Sequence, residues 1–157
     1  TFCLGSHGAS LAQLYRRNKI SKNMAQLIVF QAADGRVIGG FCPQGFLRST
    51  HLGYYGDGRC CVFSIDSPGV PASVKVWQSK VTQEMRVYAG DEYLAMGGGG
   101  GGFTWCVDED MGTCTCAISP TFGNETPLVP SGFFDVVNVE CWGVMGVKST
   151  QRVSFYD

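Results

Sequence analysis

Six consecutive glycines in the middle of the chain are the first residues whose type and spacing suggest chemistry. Glycine loops cradle phosphate groups when they open a helix and carry a lysine followed by serine or threonine. Here the strand-like residues Phe103, Thr104 and Trp105 follow instead, and no lysine lies nearby. Glycine between two strands is typical of a close backbone approach or of positive φ. We therefore expect an architectural role for this glycine run. It comprises Gly97, Gly98, Gly99, Gly100, Gly101 and Gly102.

The cysteines, histidines and clustered acids do not match a metal site. Cys114-x-Cys116 and the adjacent Cys60-Cys61 lack the C-x₂₋₄-C spacing of zinc sites, and only two histidines are present. The triplet Asp108-Glu109-Asp110 lacks the alternation and the bidentate glutamate of an EF-hand loop. We expect neither a metal nor a cofactor.

Catalysis is weakly indicated. A serine or cysteine nucleophile needs a nearby base, and the chain has no G-x-S-x-G motif, although a fold could join a cysteine and a histidine from distant positions. Glu140 is a candidate for a partly buried carboxylate of raised pKa, but strand carboxylates usually pair with arginine or backbone amides. We predict no catalytic residue and a structural role for Glu140 and Trp142.

Eight cysteines could form a disulfide framework, but their sequence context argues against it. A chain of 157 residues with 45% hydrophobic residues does not need such staples, and most of the cysteines stand in apolar runs. We expect free thiols and a reducing, cytoplasmic location. Within the cytoplasm, a partner could recruit the domain to the surface of an organelle, or the domain could be ciliary.

Charge is balanced overall but segregated along the chain. The net charge of −1 does not favour nucleic acid, and no apolar run is long enough to insert into a membrane. The first acidic residue, Asp34, follows four basic ones, and no lysine or arginine occurs between Arg86 and Lys148. Either these regions neutralise each other in the fold, or the acidic half presents a face to a basic partner.

One helix and a series of strands are predicted to position these residues. Residues 10–22 have a capping-box spacing and an apolar i, i+3, i+4 stripe. Asp34-Gly35 joins two hydrophobic runs as a hairpin turn. The predicted strands are residues 26–33, 36–42, 60–65, 73–77, 85–89, 92–96, 103–108 and 133–144. Their number and spacing predict an all-β to α+β fold, a two-sheet antiparallel β-sandwich flanked by one or a few helices, in a single domain over residues 1–157.

Ordered sequence blocks along the whole chain resemble the TLDc domain family. The blocks are His7-Gly8-x-Ser10-Leu11-x-x-Leu14-Tyr15-Arg16, Val37-Ile38-Gly39-Gly40-Phe41, Gly56-x-Gly58 with Val62-Phe63, the glycine run into Phe103, Asp108-x-Asp110, Thr121-Phe122-x-Asn124, Pro127-Leu128 and Glu140-x-Trp142-Gly143.

The chain departs from the family pattern at several places. Arg59 stands where the family has glutamate, and Trp105 comes one place early. The region from Cys114 to Phe122 also differs, and the helix and strand with which family domains usually begin are missing. We expect a divergent member that forms part of a longer chain.

The resemblance implies a non-catalytic domain that binds a protein partner. Family members bind the vacuolar proton pump (V-ATPase) and are linked to oxidative-stress resistance, so pump subunits are the first expected partner. A structural component of another assembly, cytoskeletal or ciliary, is the alternative, and a thiol-based redox enzyme using Cys114 and Cys116 is a third. The loops carrying the family blocks are the expected binding surface. Its candidate residues are Tyr55, Asp57, Arg59, Asp108, Glu109 and Asp110.

Overall fold

Helix α1 spans Leu11–Asn18 in the computed structural model, which describes residues 2–3, 10–48, 53–80 and 82–147. Ser10 precedes the helix in an extended conformation, and its Oγ accepts a hydrogen bond from the backbone N–H of Gln13 at 3.2 Å. This bond satisfies one of the N–H groups that have no partner within the first turn of a helix. The predicted cap is therefore confirmed.

The buried face of α1 follows the predicted apolar stripe. Leu11, Leu14 and Tyr15 are buried, whereas Arg16 is exposed. Beyond residue 18 the chain continues as a 3₁₀ helix over Lys19–Ser21, so the α-helix itself is shorter than the predicted 10–22.

Most of the remaining regular structure is β-strand. The strands are β1 (Phe2–Cys3), β2 (Ala25–Ala32), β3 (Val37–Cys42), β4 (Cys61–Ile65), β5 (Val74–Gln78), β6 (Val87–Ala89), β7 (Tyr93–Met96), β8 (Trp105–Asp108), β9 (Thr113–Cys116) and β10 (Phe133–Val144). A second 3₁₀ turn, Pro71–Ser73, precedes β5. Strands β1 and β9 were not predicted, and β8 begins two residues later than predicted.

The hairpin of β2 and β3 forms as its turn residues predict. Gly35 has a φ of +90°, a conformation that favours glycine. The Oδ1 of Asp34 accepts the backbone N–H of Arg36 at 3.0 Å, as an Asx turn does.

The strands form two antiparallel sheets that share β10. The first sheet contains β5, β4, β3, β2, β10 and β1, and the second contains β6, β7, β8, β9 and the beginning of β10. Residues 133–135 pair with β9, and the pairing with β2 begins at Val136. The predicted mainly antiparallel, sandwich-like architecture is confirmed.

The core lies between the inner faces of the two sheets. Phe30 of the first sheet and Trp105 of the second are fully buried and meet edge to face, with ring centroids 4.9 Å apart. Gly40 faces Met96, whose sulfur occupies the space where a Cβ would lie. Burial of each large apolar side chain contributes roughly 1.5–3 kcal/mol, so this interface supplies much of the stability of the domain.

We predict that Phe30→Ala destabilises the domain by about 3–5 kcal/mol, because it removes a fully buried ring and leaves a cavity beside Trp105. The matched control is Phe133→Ala, since Phe133 is 59% exposed, and its expected effect is within about 0.5 kcal/mol. Urea unfolding of both variants measures the difference. Equal losses would show that the face-to-face contact of the sheets is not the core.

Candidate partner-binding surface

Asp57 and Arg59 form an ion pair within the loop that precedes β4. Arg59 Nη2 lies 2.7 Å from Asp57 Oδ2, and Gln44 Nε2 donates a hydrogen bond of 2.7 Å to the same oxygen. Burial raises the pKa of Asp57, but hydrogen bonds from Arg59 and Gln44 and the charge of Arg59 outweigh it and lower the pKa to about 2. The two charges compensate each other, so this loop presents little net charge to a partner.

Tyr55, in the same loop, holds the chain that follows β3. Its hydroxyl donates to the carbonyl oxygen of Gly45 at 2.8 Å and accepts the N–H of Leu47 at 3.3 Å. Its backbone forms an isolated antiparallel bridge with Val87. The half-buried ring therefore joins three chain segments, and much of its side chain is turned toward the domain and away from solvent.

The glycine run begins with two buried residues, continues with three exposed ones and ends with the half-buried Gly102. Gly97 has a φ of +87°, and a Cβ there would lie 2.5 Å from Thr104 Oγ1 and 2.8 Å from Ser119 Oγ. A Cβ on Gly98 would lie 2.8 Å from the hydroxyl of Tyr54. Gly101 also has positive φ, +86°, but nothing lies within 4 Å of its Cβ position. The space available to a side chain is therefore greatest at Gly101, and it narrows again at Gly102, where a Cβ would lie 2.7 Å from the Cβ of Ala117.

A buried loop over residues 119–124 holds the first two glycines. The backbone N–H of Gly98 donates to Ser119 Oγ and to Thr121 Oγ1, both at 3.1 Å. Thr121 Oγ1 in turn donates to the carbonyl oxygen of Met85 at 3.2 Å. These small polar side chains are almost fully buried, so their hydrogen bonds also satisfy groups that would be costly to leave unpaired.

Asn124 closes the same loop. Its amide nitrogen donates to the carbonyl oxygens of Ala117 and Thr126, both at 2.9 Å, and its Oδ1 accepts the backbone N–H of Ser119 at 3.2 Å. The sequence analysis quoted Thr121-Phe122-x-Asn124 only as a family block and assigned no role to Ser119, Thr121 or Asn124. Their spacing alone does not reveal the network, because its other members lie about twenty residues away in the chain.

Asp108, Glu109 and Asp110 form the exposed turn between β8 and β9. Asp108 Oδ1 accepts the backbone N–H of Gly112 at 3.2 Å, and the carbonyl oxygen of Glu109 accepts the N–H of Leu11 at 2.8 Å. Within the described ranges none of the three carboxylates forms an ion pair. Their charges face solvent, while their backbone supports the start of α1.

The structure brings the loop of Tyr55, Asp57 and Arg59 close to the glycine run. Tyr54, next to Tyr55, contacts the glycine run, since its hydroxyl lies 3.4 Å from the carbonyl oxygen of Gly97. The acidic turn lies at the far end of β8 from the glycine run. The acidic turn therefore takes no part in the contact between the glycine run and the loop that carries Tyr55, Asp57 and Arg59.

Glu140 and Trp142 lie side by side on the outer face of the first sheet. Trp142 Nε1 donates to Glu140 Oε2 at 3.1 Å, and Trp142 is 47% exposed. Within the described part of the chain the hydrogen-bond partner of this carboxylate is thus an indole N–H, where an arginine or backbone amides were expected.

The thiols of the second sheet are shielded from solvent. Cys114 is fully buried and Cys116 is 7% exposed, and burial raises the pKa of Cys114 well above its usual range. Cys106 is half-buried on the outer face, where burial raises its pKa to about 11. All eight cysteines are free. At neutral pH, Cys106 and Cys114 are protonated and therefore poor nucleophiles.

The described residues include no group of three or more His, Cys, Asp or Glu side chains placed to hold a metal ion. They also include no helix of sufficient length and apolarity to span a bilayer. His7 and His51, together with the beginning of the first family block, lie outside the described residues.

These features define a class of domain, a two-sheet β-sandwich whose glycine-rich segment is fastened to a buried polar loop. The TLDc domain model matches residues 1–145, and the chain belongs to the TLDc family.

Its similar proteins include several named Oxidation resistance protein 1. Those of Kluyveromyces lactis and Yarrowia lipolytica are 27% and 31% identical, each over 91% of this chain, and the rat protein is 33% identical over 88% of it. The alignments cover 64%, 62% and 15% of those three proteins respectively, so each relative has further sequence outside the matched region.

We predict that Gly97→Ala destabilises the domain by several kcal/mol more than Gly101→Ala. Both positions have positive φ, so both variants incur about 1–2 kcal/mol of backbone strain, but only the Cβ at residue 97 meets Thr104 and Ser119. Thermal and urea unfolding compare the two. If the losses are equal, the polar loop can move aside and does not confine the glycine run.

We also predict a pH-dependent contribution from Asp57. Since its pKa in the fold, about 2, is below the ordinary value of about 3.9, its charged form stabilises the fold above that ordinary value. The contribution is lost as the pH falls from about 4 through about 2. Asp57→Asn should therefore lower the free energy of unfolding by up to about 1 kcal/mol at neutral pH, with the difference disappearing at the acid end.

The control is the same substitution in an Arg59→Gln background, where the cost of Asp57→Asn should shrink because the ion pair is already absent. Urea unfolding at a series of pH values measures both. A cost that is independent of pH and of Arg59 would show that the pair does not stabilise the loop.

Proposed function

We propose that this chain is a non-catalytic protein-binding domain that acts in oxidative-stress resistance through association with the V-ATPase on its cytoplasmic side. The observation that carries the proposal is membership of the TLDc family, with relatives named Oxidation resistance protein 1. Binding of the pump is what the family resemblance implies for this chain.

The geometry of the conspicuous residues supports binding over catalysis. The glycine run is fastened to the 119–124 loop and leads into a strand, which is unlike a phosphate cradle. The thiols of Cys114 and Cys116 are buried, which makes a thiol-based reaction a poor alternative. Rigid sheets carrying exposed loops are a common design for recognition.

The test is binding of the purified chain to purified V-ATPase, measured by co-sedimentation and by affinity purification from the native source with mass spectrometry. We expect recovery of pump subunits in both measurements. The matched control is the Phe30→Ala variant, whose disrupted core should abolish recovery if a folded domain is required. Consistent recovery of tubulin or other filament proteins without pump subunits would favour the structural alternative and contradict the proposal.

A further inference from the structure

The outer face of the second sheet carries a continuous row of aromatic rings. Tyr88 and Tyr93 stack with centroids 4.8 Å apart, Tyr54 lies 5.7 Å from Tyr88, and Phe103 lies 5.4 Å from Tyr93. All four are only partly buried. Tyr88 and Tyr93 point outward because their neighbours Val87, Ala89 and Leu94 fill the core.

Acidic side chains also lie on the outer face of the second sheet and at its ends. Asp108 is the cross-strand partner of Tyr93, and this register places the two residues on the same, outer face of the sheet. Glu92 precedes Tyr93 in the chain and is exposed. Asp135 is the exposed partner of Thr113 and lies on β10, three strands from Tyr93. Within the described residues none of these three carboxylates takes part in an ion pair.

Basic side chains are missing from the strands that build this face. Every residue of β6 to β9 and the paired start of β10 falls within residues 87–147, which contain no lysine or arginine. Arg48 and Arg86 approach from outside this stretch. Arg48 is neutralised by Asp91, with Nε and Oδ1 2.7 Å apart, and Arg86 directs its Nε to Ser79 Oγ at 2.6 Å.

We propose that this aromatic–acidic face, defined by Tyr54, Tyr88, Tyr93, Phe103, Glu92 and Asp108, binds an arginine-bearing segment of a protein partner. The inference rests on the proposed protein-binding function and adds the surface and the chemistry of its ligand. A guanidinium group stacks on aromatic rings and donates paired hydrogen bonds to a carboxylate. The uncompensated negative charge selects a basic partner and speeds its association, and it repels nucleic acid.

The first experiment measures binding of the full chain to a short fluorescent peptide that alternates arginine and glycine. Asp108→Asn should weaken binding about three-fold, and Tyr93→Leu should weaken it by a similar factor. High salt should reduce the effect of Asp108→Asn and leave the effect of Tyr93→Leu unchanged, because only the first variant removes a charge. The matched control is Asp34→Asn. Asp34 and Asp108 each accept a backbone N–H through Oδ1, which asparagine can also do, but Asp34 lies in the β2–β3 turn of the first sheet.

The outcomes separate this inference from the proposed function. If Asp108→Asn and Tyr93→Leu keep wild-type affinity for the arginine peptide, or if a glycine–glutamate peptide binds equally well, the proposed face is wrong even if the chain recovers V-ATPase subunits. If both variants lose peptide affinity while Asp34→Asn does not, the face is supported even if no pump subunit is recovered. Unchanged melting temperatures confirm that the variants are folded.

Discussion

Strand β10 is the element on which both sheets depend, and an irregularity within it makes the sharing possible. Its register shifts between Val136 and Asn138, at the point where its pairing passes from β9 to β2. Before the shift Phe134 points into the core, and after it Val139 and Cys141 do. The inward-facing side chains thus belong to an even-numbered residue before the shift and to odd-numbered residues after it. Without an extra residue, one half of the strand would turn its apolar side chains to solvent.

A second constraint is polar and buried. The N–H of Gly98 would be costly to leave unpaired in the interior, and Ser119 and Thr121 provide its acceptors. Ser119 can approach only because residue 97 has no side chain, and a Cβ on residue 98 would meet the hydroxyl of Tyr54 and the side chain of Met85. The network therefore requires glycine at the beginning of the run. At Gly101 no neighbouring atom would contact a Cβ, so packing does not require glycine there. Conformation alone, through its positive φ, favours glycine at that position.

Local chemistry explains which parts of the fold were predictable from sequence. The helix cap at Ser10 and the Asp34-Gly35 turn depend on residues close together in the chain, and both form as predicted. Strand β9 was missed because its alternating threonines and cysteines do not resemble a β-branched apolar run, although Cys114 and Cys116 point into the core as small hydrophobic residues. The register shift in β10 has no local sequence signature, because it arises from pairing with two different strands, β9 and β2.

The candidate surfaces were predictable from sequence only in part, because their charge follows from the local sequence whereas the alignment of their side chains depends on strand pairing. Strands β6 to β9 are consecutive in the chain and form one sheet, so a bias in charge along the sequence becomes a bias of one face. The scarcity of cations was visible in sequence, but the alignment of Tyr88, Tyr93 and Asp108 depends on cross-strand register. Conversely, Asp57 and Arg59 are only two residues apart, yet their mutual compensation depends on the loop conformation and on Gln44 from a different segment. The charge of a sequence segment therefore predicts the charge of the surface that it forms only where the fold leaves that charge unpaired.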